Sequence, residues 1–204
     1  LSGFLLCFFL LFHLINNLTL IIGPQIFNPM VEALESIKPL IRIMEFGLLM
    51  ILLMHIVNAV TLTIFNNKQK PSKYLVPPTK TSSINSRTMI ISGTIILLFF
   101  IIHLKYLWYT YQTHNFKIDE TYYDVILRNE FGYLGHTPTA IFYVLAILFI
   151  AMHIKHGFQS ALKTFGILEK SKFAFLYKIA IIFWAIIPAL FILIILLIQF
   201  GYIK

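Results

Sequence analysis

Four histidines lie inside long apolar stretches of the sequence, where ionisable side chains are rare. They are His13, His55, His103 and His153, and each belongs to a different stretch. An ionisable residue at membrane depth is costly and is by default functional. One such histidine is more often a hydrogen-bonding partner between helices than a ligand, but one on each of four stretches is a sharper pattern. Because imidazole is a common axial ligand of haem iron, the pattern predicts haem ligation.

The depths of these histidines sort them into two pairs. With the N-terminus on the cytoplasmic side, as the charge pattern below predicts, the first and third apolar stretches run outward. His13 and His103 then each lie about 13 or 14 residues from the inner end of their stretch, roughly 20 Å from the cytoplasmic face. His55 and His153 lie about 14 residues from the outer end of an inward-running stretch, which places them in the inner half of the bilayer. We therefore predict an outer haem iron held by His13 and His103 and an inner one held by His55 and His153. Two imidazoles fill both axial positions, which favours electron transfer over oxygen binding.

Five apolar stretches are long enough to position these residues, because a helix crosses a bilayer with about 20 residues. The chain has 204 residues, of which 59% are hydrophobic and only 12% are charged. Backbone polar groups in hydrocarbon must be satisfied within the segment, so each stretch must be helical. We predict an all-α fold, a single membrane domain over residues 1–204 built as a bundle of five transmembrane helices. The predicted helices cover about 1–22, 41–65, 88–112, 139–162 and 174–200.

Turn and capping residues mark the ends of these helices. Gly23 and Pro24 end the first one, Ser86 is a plausible N-cap of the third, and Pro188 predicts a kink inside the fifth. The first stretch is too long and too uniformly apolar for the core of a signal peptide. Since the sequence begins with Leu and turns apolar at once, we expect a short basic segment to precede it.

The basic residues set the predicted orientation. Two connecting segments, 66–87 and 163–178, carry nine basic side chains against one acid (Lys68, Lys70, Lys73, Lys80, Arg87, Lys163, Lys170, Lys172 and Lys178 against Glu169). The positive-inside rule places both on the cytoplasmic side, with the N-terminus in and the C-terminus out. The net charge of +8 is therefore explained by topology, and we expect no nucleic-acid partner.

Other kinds of site have weaker signals. Cys7 is the only cysteine, which excludes an internal disulfide or a four-thiolate iron–sulfur site on this chain. No glycine-rich nucleotide fingerprint occurs. A proton-relay transporter would bury histidines together with carboxylates, but Glu45 is the only acid near a helix interior. A zinc site needs its ligands at one depth, whereas these histidines are split between two.

Several residues near the four histidines have two readings each. His156 lies one turn below His153 and competes with it as a ligand. Lys105 and Lys155 follow proposed ligands by two residues and could pair with haem propionates, or simply extend to the membrane interface. Gly47 and Gly93 could admit a flat macrocycle or serve helix packing. His114 and His136 are expected to be ordinary interfacial residues.

Three segments of the chain resemble the cytochrome b subunit of succinate dehydrogenase, in its five-helix, two-haem form (the b558 family, which includes fumarate reductase anchors). They are GFLLCFFLLFHLINNL from Gly3, SRTMIISGTIILLFFIIHLKYLW from Ser86 and FYVLAILFIAMHIKHGFQSALKTFG from Phe142. The run HxxHGFQSA from His153 is the most specific. In that family the histidine of the first helix pairs with that of the third, and the second with the fourth.

The resemblance implies partners and a substrate. These are a flavoprotein subunit and an iron–sulfur subunit on the cytoplasmic side of a bacterial inner membrane, docked on the basic segments 66–87 and 163–178. It also implies two haem b groups and a quinone, usually menaquinone, near the outer haem. Glu35, then Glu32, are the candidates for the proton acceptor at the quinone. If the quinone lies near the inner face, Arg87 and Ser92 are the alternatives.

The sequence thus predicts a membrane anchor that carries electrons between an iron–sulfur subunit and a quinone and binds no succinate itself. Two alternatives stay open. One is a haem-bearing, quinol-oxidising subunit of another respiratory enzyme; a bc-type cytochrome b is disfavoured because it places two ligands on each of two helices. The other is a haem-free transporter or assembly protein with structural histidines.

Overall fold

The computed structural model describes residues 2–68, 89–164, 166 and 174–204, which form helices joined by short turns. No strand occurs in this part of the chain. The helices are α1 (Ser2–Ile22), α2 (Pro24–Ser36), α3 (Lys38–Lys68), α4 (Met89–Thr113), α5 (Tyr122–Leu127), α6 (Thr137–Thr164) and α7 (Ala174–Ile181, Ile182–Ile186 and Ile187–Gln199). Five of them, α1, α3, α4, α6 and α7, are long and apolar enough to cross a membrane. The predicted all-helical architecture and its five spanning stretches are confirmed to within a few residues, whereas Ser86 and Arg87 lie outside the described residues.

The core lies between α1, α4, α6 and α7. Helix α4 packs along α6, and α7 packs against both α1 and α6. Small and branched side chains fill the centre, among them Ala146, Ile187 and Ile194, which are almost fully buried. Helix α3 stands at the edge, where its main contacts are with α1 and α2. None of the residues in its spanning stretch is buried. The helix that carries His55 is therefore packed against the bundle along one side only.

Two of the spanning helices contain a wider, π-helical turn. In α4 this turn covers Leu104–Trp108 and begins directly after His103. In α7 it covers Ile182–Ile186 and ends just before Pro188. Proline has no N–H to donate to the preceding turn, and the departure from α-helical geometry therefore falls where the sequence predicted a kink. π-Helical turns are frequent at functional sites, which makes the one beside His103 notable.

The segment after α1, which lies outside the five predicted spanning stretches, is a helix. Gly23 has a φ of +123°, a conformation that favours glycine, and Pro24 occupies the first helical position. Helix α2 is amphipathic: Phe27 and Val31, four residues apart, are buried, and the ring of Phe27 packs edge-on against Tyr123. The segment is too polar to span a membrane, but it carries one apolar stripe that α5 covers.

The connection between α4 and α6, residues 114–136, is here called the cap. Its centre is an ion pair between Arg128 and Glu120, whose side chains are only 7% and 8% exposed. Arg128 also donates to the hydroxyl of Tyr133 at 2.9 Å and to the carbonyl of Asn115 at 2.8 Å. The hydrogen bonds that Arg128 donates to Glu120 lower the pKa of the carboxyl and raise the pKa of Arg128. A buried pair with all these partners fixes the shape of the cap.

Helix α5 within the cap begins with a reciprocal capping box. The hydroxyl of Thr121 accepts from the backbone N–H of Asp124, and the carboxylate of Asp124 accepts from the backbone N–H of Thr121. Replacing an N-cap threonine by alanine costs about 1 kcal/mol. We therefore expect Thr121→Ala to lower the thermal midpoint of the purified protein slightly. Thr113→Ala is the control, since that exposed hydroxyl donates to the carbonyl of Tyr109. Equal midpoints for the two variants would contradict the stabilising role of the capping box at Thr121.

Candidate functional site

The four predicted histidines lie on four different helices and meet in two pairs. His13 is on α1, His55 on α3, His103 on α4 and His153 on α6. The imidazole of His13 lies beside that of His103, and the imidazole of His55 lies beside that of His153. These contacts join the first helix to the third spanning helix and the second to the fourth. They are the pairs predicted from depth.

The outer pair is surrounded by aromatic side chains. The ring centroids of His13 and His103 are 5.7 Å apart and the ring planes are nearly perpendicular, at 88°. Phe9 stacks on His13 and Phe99 on His103, each with centroids 5.4 Å apart. Phe9 and Phe99 each lie one helical turn before the histidine that they cover, on the same helix face. The rings are thus held in a mostly apolar environment.

The inner pair is held by hydroxyl groups. The ring centroids of His55 and His153 are 6.1 Å apart with an interplanar angle of 66°. The Nδ1 atom of His55 lies 3.3 Å from the hydroxyl of Ser2, and that of His153 lies 3.2 Å from the hydroxyl of Ser92. Ser92, which we predicted as an alternative quinone contact, is therefore a histidine partner in the structure.

Both ring separations match what a shared metal ion requires. A metal–imidazole bond of about 2 Å on each side of the ion places the two ring centroids roughly 6 Å apart. The observed values of 5.7 and 6.1 Å are close to this. Among the described residues, no group of three or more His, Cys, Asp or Glu side chains forms a metal site. A pair of imidazoles suits an iron whose other four ligands come from a macrocycle.

Three further features test whether a haem fits these residues. The Nδ1 atom of His103 is buried and has no hydrogen-bond partner. A Cβ added to Gly3 or Gly93 would contact only the Cε1 atom of an inner histidine, at 3.8 Å. A Cβ added to Gly47 would meet nothing within 4 Å. The inner pair therefore has little side-chain bulk beside its rings, and the outer pair offers two imidazoles among flat aromatic side chains, so both pairs fit a haem.

The two lysines predicted to pair with propionates lie on aromatic rings. The ammonium of Lys105 is 5.0 Å from the centroid of Tyr106, and that of Lys155 is 4.5 Å from the centroid of Trp184. Both are cation–π contacts, a role that the sequence did not reveal. Lys155 also borders an open cavity of about 340 Å³ between α6 and α7, whose lining includes Phe158, Gln159 and Trp184.

The candidate proton acceptors lie on α2, at the end of the bundle near the outer pair. Glu32 is exposed. Glu35 binds Lys38 at 2.7 Å, and one of its oxygens is 3.9 Å from the Nε2 atom of His114. Neither glutamate is joined to the four histidines by a contact in the described part of the chain. Their role at a quinone stays a prediction.

A polar network that the sequence did not single out joins α3 to α4 within the spanning region. Glu45 accepts from Arg42 at 2.6 Å and from the indole N–H of Trp108 at 2.9 Å. Arg42 also donates to the side chain of Gln112. The i, i+3 spacing of Arg42 and Glu45 is the one signal that could have predicted part of it. The network supplies hydrogen-bond donors to Glu45, the carboxylate near a helix interior that a proton-relay transporter could have used.

The remaining histidines lie near the ends of α4 and α6 or beside His153. The Nδ1 atom of His136 lies 2.9 Å from the hydroxyl of Thr139 at the start of α6. His114 ends α4 in the left-handed conformation, with a φ of +48°. His156 lies one turn beyond His153, but it is the ring of His153 that pairs with His55.

Comparison of the chain with protein-family models, with curated proteins and with solved structures finds no significant match.

Proposed function

We propose that the chain is a dihaem cytochrome b membrane anchor that passes electrons between an iron–sulfur subunit and a membrane quinone. The observation that carries the proposal is the meeting of four histidines from four helices in two pairs, with centroids 5.7 and 6.1 Å apart. A single contact between two membrane histidines can arise by chance. Two contacts at different depths, each with the ring separation of a bis-imidazole site, favour a shared function. Bound haem would supply reversible one-electron chemistry at both depths.

The residues of the chain have distinct tasks in this proposal. His13 and His103 hold the outer haem, and His55 and His153 hold the inner one. Each histidine must be neutral to ligate iron. Two imidazole ligands to each iron would favour electron transfer over oxygen binding.

The partners and orientation follow the charge pattern. The basic segments 66–87 and 163–178 would face the cytoplasm and dock a flavoprotein–iron–sulfur pair of the succinate dehydrogenase or fumarate reductase type. The inner histidine pair would be proximal to that pair of subunits, and the outer pair distal. The quinone, of the menaquinone class, would be reduced or oxidised near the outer pair with Glu35 or Glu32 as proton acceptor. The membrane would be the cytoplasmic membrane of a bacterium.

A reduced-minus-oxidised optical spectrum of the purified membrane protein, with haem quantified per chain, tests the proposal. We expect about two haems b per chain, with the low-spin bands that two imidazole ligands produce. A colourless protein would contradict the proposal and favour the haem-free transporter. One haem per chain would show that one of the pairs is not a ligand set, and His156 would then be tested.

A further inference from the structure

We propose that Ser2 and Ser92 are positioning residues of the inner haem, each accepting the Nδ1 hydrogen of one inner histidine and so presenting its Nε2 atom to the iron. The inference rests on the proposed function and deepens it. It names the hydroxyl groups that set the orientation and the electron-donating strength of His55 and His153. Within the described part of the chain, no hydroxyl group bonds to the Nδ1 atom of either outer histidine.

At Ser92 a second acceptor assigns the direction of the hydrogen bond. Its hydroxyl donates to the carbonyl of Met89 at 2.9 Å, one turn earlier in α4. The single hydroxyl hydrogen is thereby used, so the lone pairs of the Ser92 oxygen face the Nδ1 atom of His153 at 3.2 Å. His153 must then carry its hydrogen on Nδ1, which leaves the lone pair of Nε2 free. That tautomer is the one in which Nε2 can ligate a metal.

The same arrangement occurs twice in the bundle. Ser2–Gly3 stands eleven residues before His13 in α1, and Ser92–Gly93 stands eleven residues before His103 in α4. Eleven residues are close to three helical turns, or about 16 Å, so each helix carries an outer ligand and a Ser–Gly pair on one face. The pair on α1 meets His55 and the pair on α4 meets His153. The pattern S-G-x9-H therefore links the two depths.

The glycine of each pair lets the imidazole approach the hydroxyl. The nearest atom to a Cβ added at Gly3 is the Cε1 of His55, and at Gly93 it is the Cε1 of His153, both at 3.8 Å. Nothing but the glycine hydrogen lies between each helix and the ring. An alanine would just touch the ring, whereas a larger side chain would displace it from the serine.

The outer pair provides an internal reference. The Nδ1 atom of His103 is buried without a partner. The amide nitrogen of Asn17 lies 3.5 Å from the Nδ1 of His13, at the limit of a hydrogen bond, and donates a shorter bond of 2.8 Å to the His13 carbonyl. Outer-shell acceptors raise the basicity of a ligating histidine. A more basic imidazole stabilises ferric iron, so the hydroxyls lower the reduction potential of the inner haem alone.

The test is a redox titration of both haems in the intact complex carrying Ser92→Ala. We expect the ratio of reduced to oxidised inner haem at a fixed ambient potential to rise about tenfold, which is about 59 mV for a one-electron couple. The outer haem should not shift. A His55→Ala complex identifies which optical band belongs to the inner haem. Ser2→Ala should act in the same direction.

Two variants separate positioning from general damage. Thr94→Ala removes an exposed hydroxyl from the same turn of α4 that donates only to the carbonyl of Ile90, and both potentials should stay unchanged. Ser92→Thr keeps the hydroxyl and should restore the potential. If Ser92→Ala instead loses the inner haem while Ser92→Thr and Thr94→Ala keep it, the positioning role is supported.

Two outcomes would overturn the inference, and they are distinguishable from failure of the proposed function. Unchanged potentials in both serine variants, with two haems bound, would show that the hydroxyls do not act on the ligands while leaving the function intact. A shift of the outer haem as large as that of the inner one would mean a general change of the bundle. Absence of haem from the unmodified complex would remove the function itself.

Discussion

Replacing His55 by alanine should remove one haem and leave the other in place, lowering the content from about two to about one per chain. The physical reason is the separation of the two histidine pairs. His55 meets His153, whereas His13 meets His103 three helical turns away, so neither outer ligand can substitute. Low-spin haem needs both axial imidazoles, and alanine offers no ligand. Haem extracted per chain and the reduced-minus-oxidised spectrum measure the result.

The reciprocal variant and a matched control sharpen this prediction. His13→Ala should lose the other haem, and the difference spectra of the two variants should add up to that of the unmodified protein. His136→Ala is the control, because that imidazole bonds to Thr139 at the start of α6 and packs against Phe131, and both haems should remain. Two haems retained in His55→Ala would disprove the assignment of the inner pair.

Replacing Arg128 by methionine should destabilise the cap by about 3–5 kcal/mol, the usual cost of removing one partner from a buried ion pair. Glu120, only 8% exposed, would keep a charge with no guanidinium opposite it. The Tyr133 hydroxyl and the Asn115 carbonyl would lose their donor as well. Hydrogen exchange of the cap amides and limited proteolysis between residues 114 and 136 should both increase strongly.

The same ion pair makes the cap sensitive to acid. The folded state holds the pKa of Glu120 below its usual range, so the stability that it contributes is present above the unfolded carboxyl pKa and is lost as the pH falls toward the folded one.

Lys117→Ala is the control for Arg128→Met. Its partner Glu130 is exposed, and exposed pairs contribute about 0–1 kcal/mol. Equal exchange rates in the two variants would contradict the central role of Arg128.

The sequence predicted the spanning helices and the histidine pairs because both follow from one-dimensional rules. Apolar length defines a transmembrane helix, and a fixed rise per residue converts position into depth. These two rules alone placed His13 beside His103 and His55 beside His153. Within the described residues, the structure shows the same two contacts.

The remaining features depend on which face a helix turns to its neighbour, and a hydropathy pattern does not contain that information. The apolar stripe of α2 is buried because α5 packs against it, and that contact cannot be predicted from α2 alone. The contact of Ser92 with His153 needs the rotation of α4 against α6, although the repeated S-G-x9-H spacing was a signal in the sequence. The network around Glu45 likewise joins residues more than 60 positions apart.

The separation of the two histidine pairs also has an electrical meaning. Three helical turns span about 16 Å, roughly half of a hydrocarbon core of about 30 Å. A full crossing at 100 mV changes the energy of one charge by about 2.3 kcal/mol, so a charge moved between the two depths exchanges about 1.2 kcal/mol with the membrane potential. That is close to an eightfold change in an equilibrium constant. In the proposed orientation, with the inside negative, an electron passed outward would release this energy and one passed inward would require it, so an energised membrane would favour the outward direction of the proposed electron transfer.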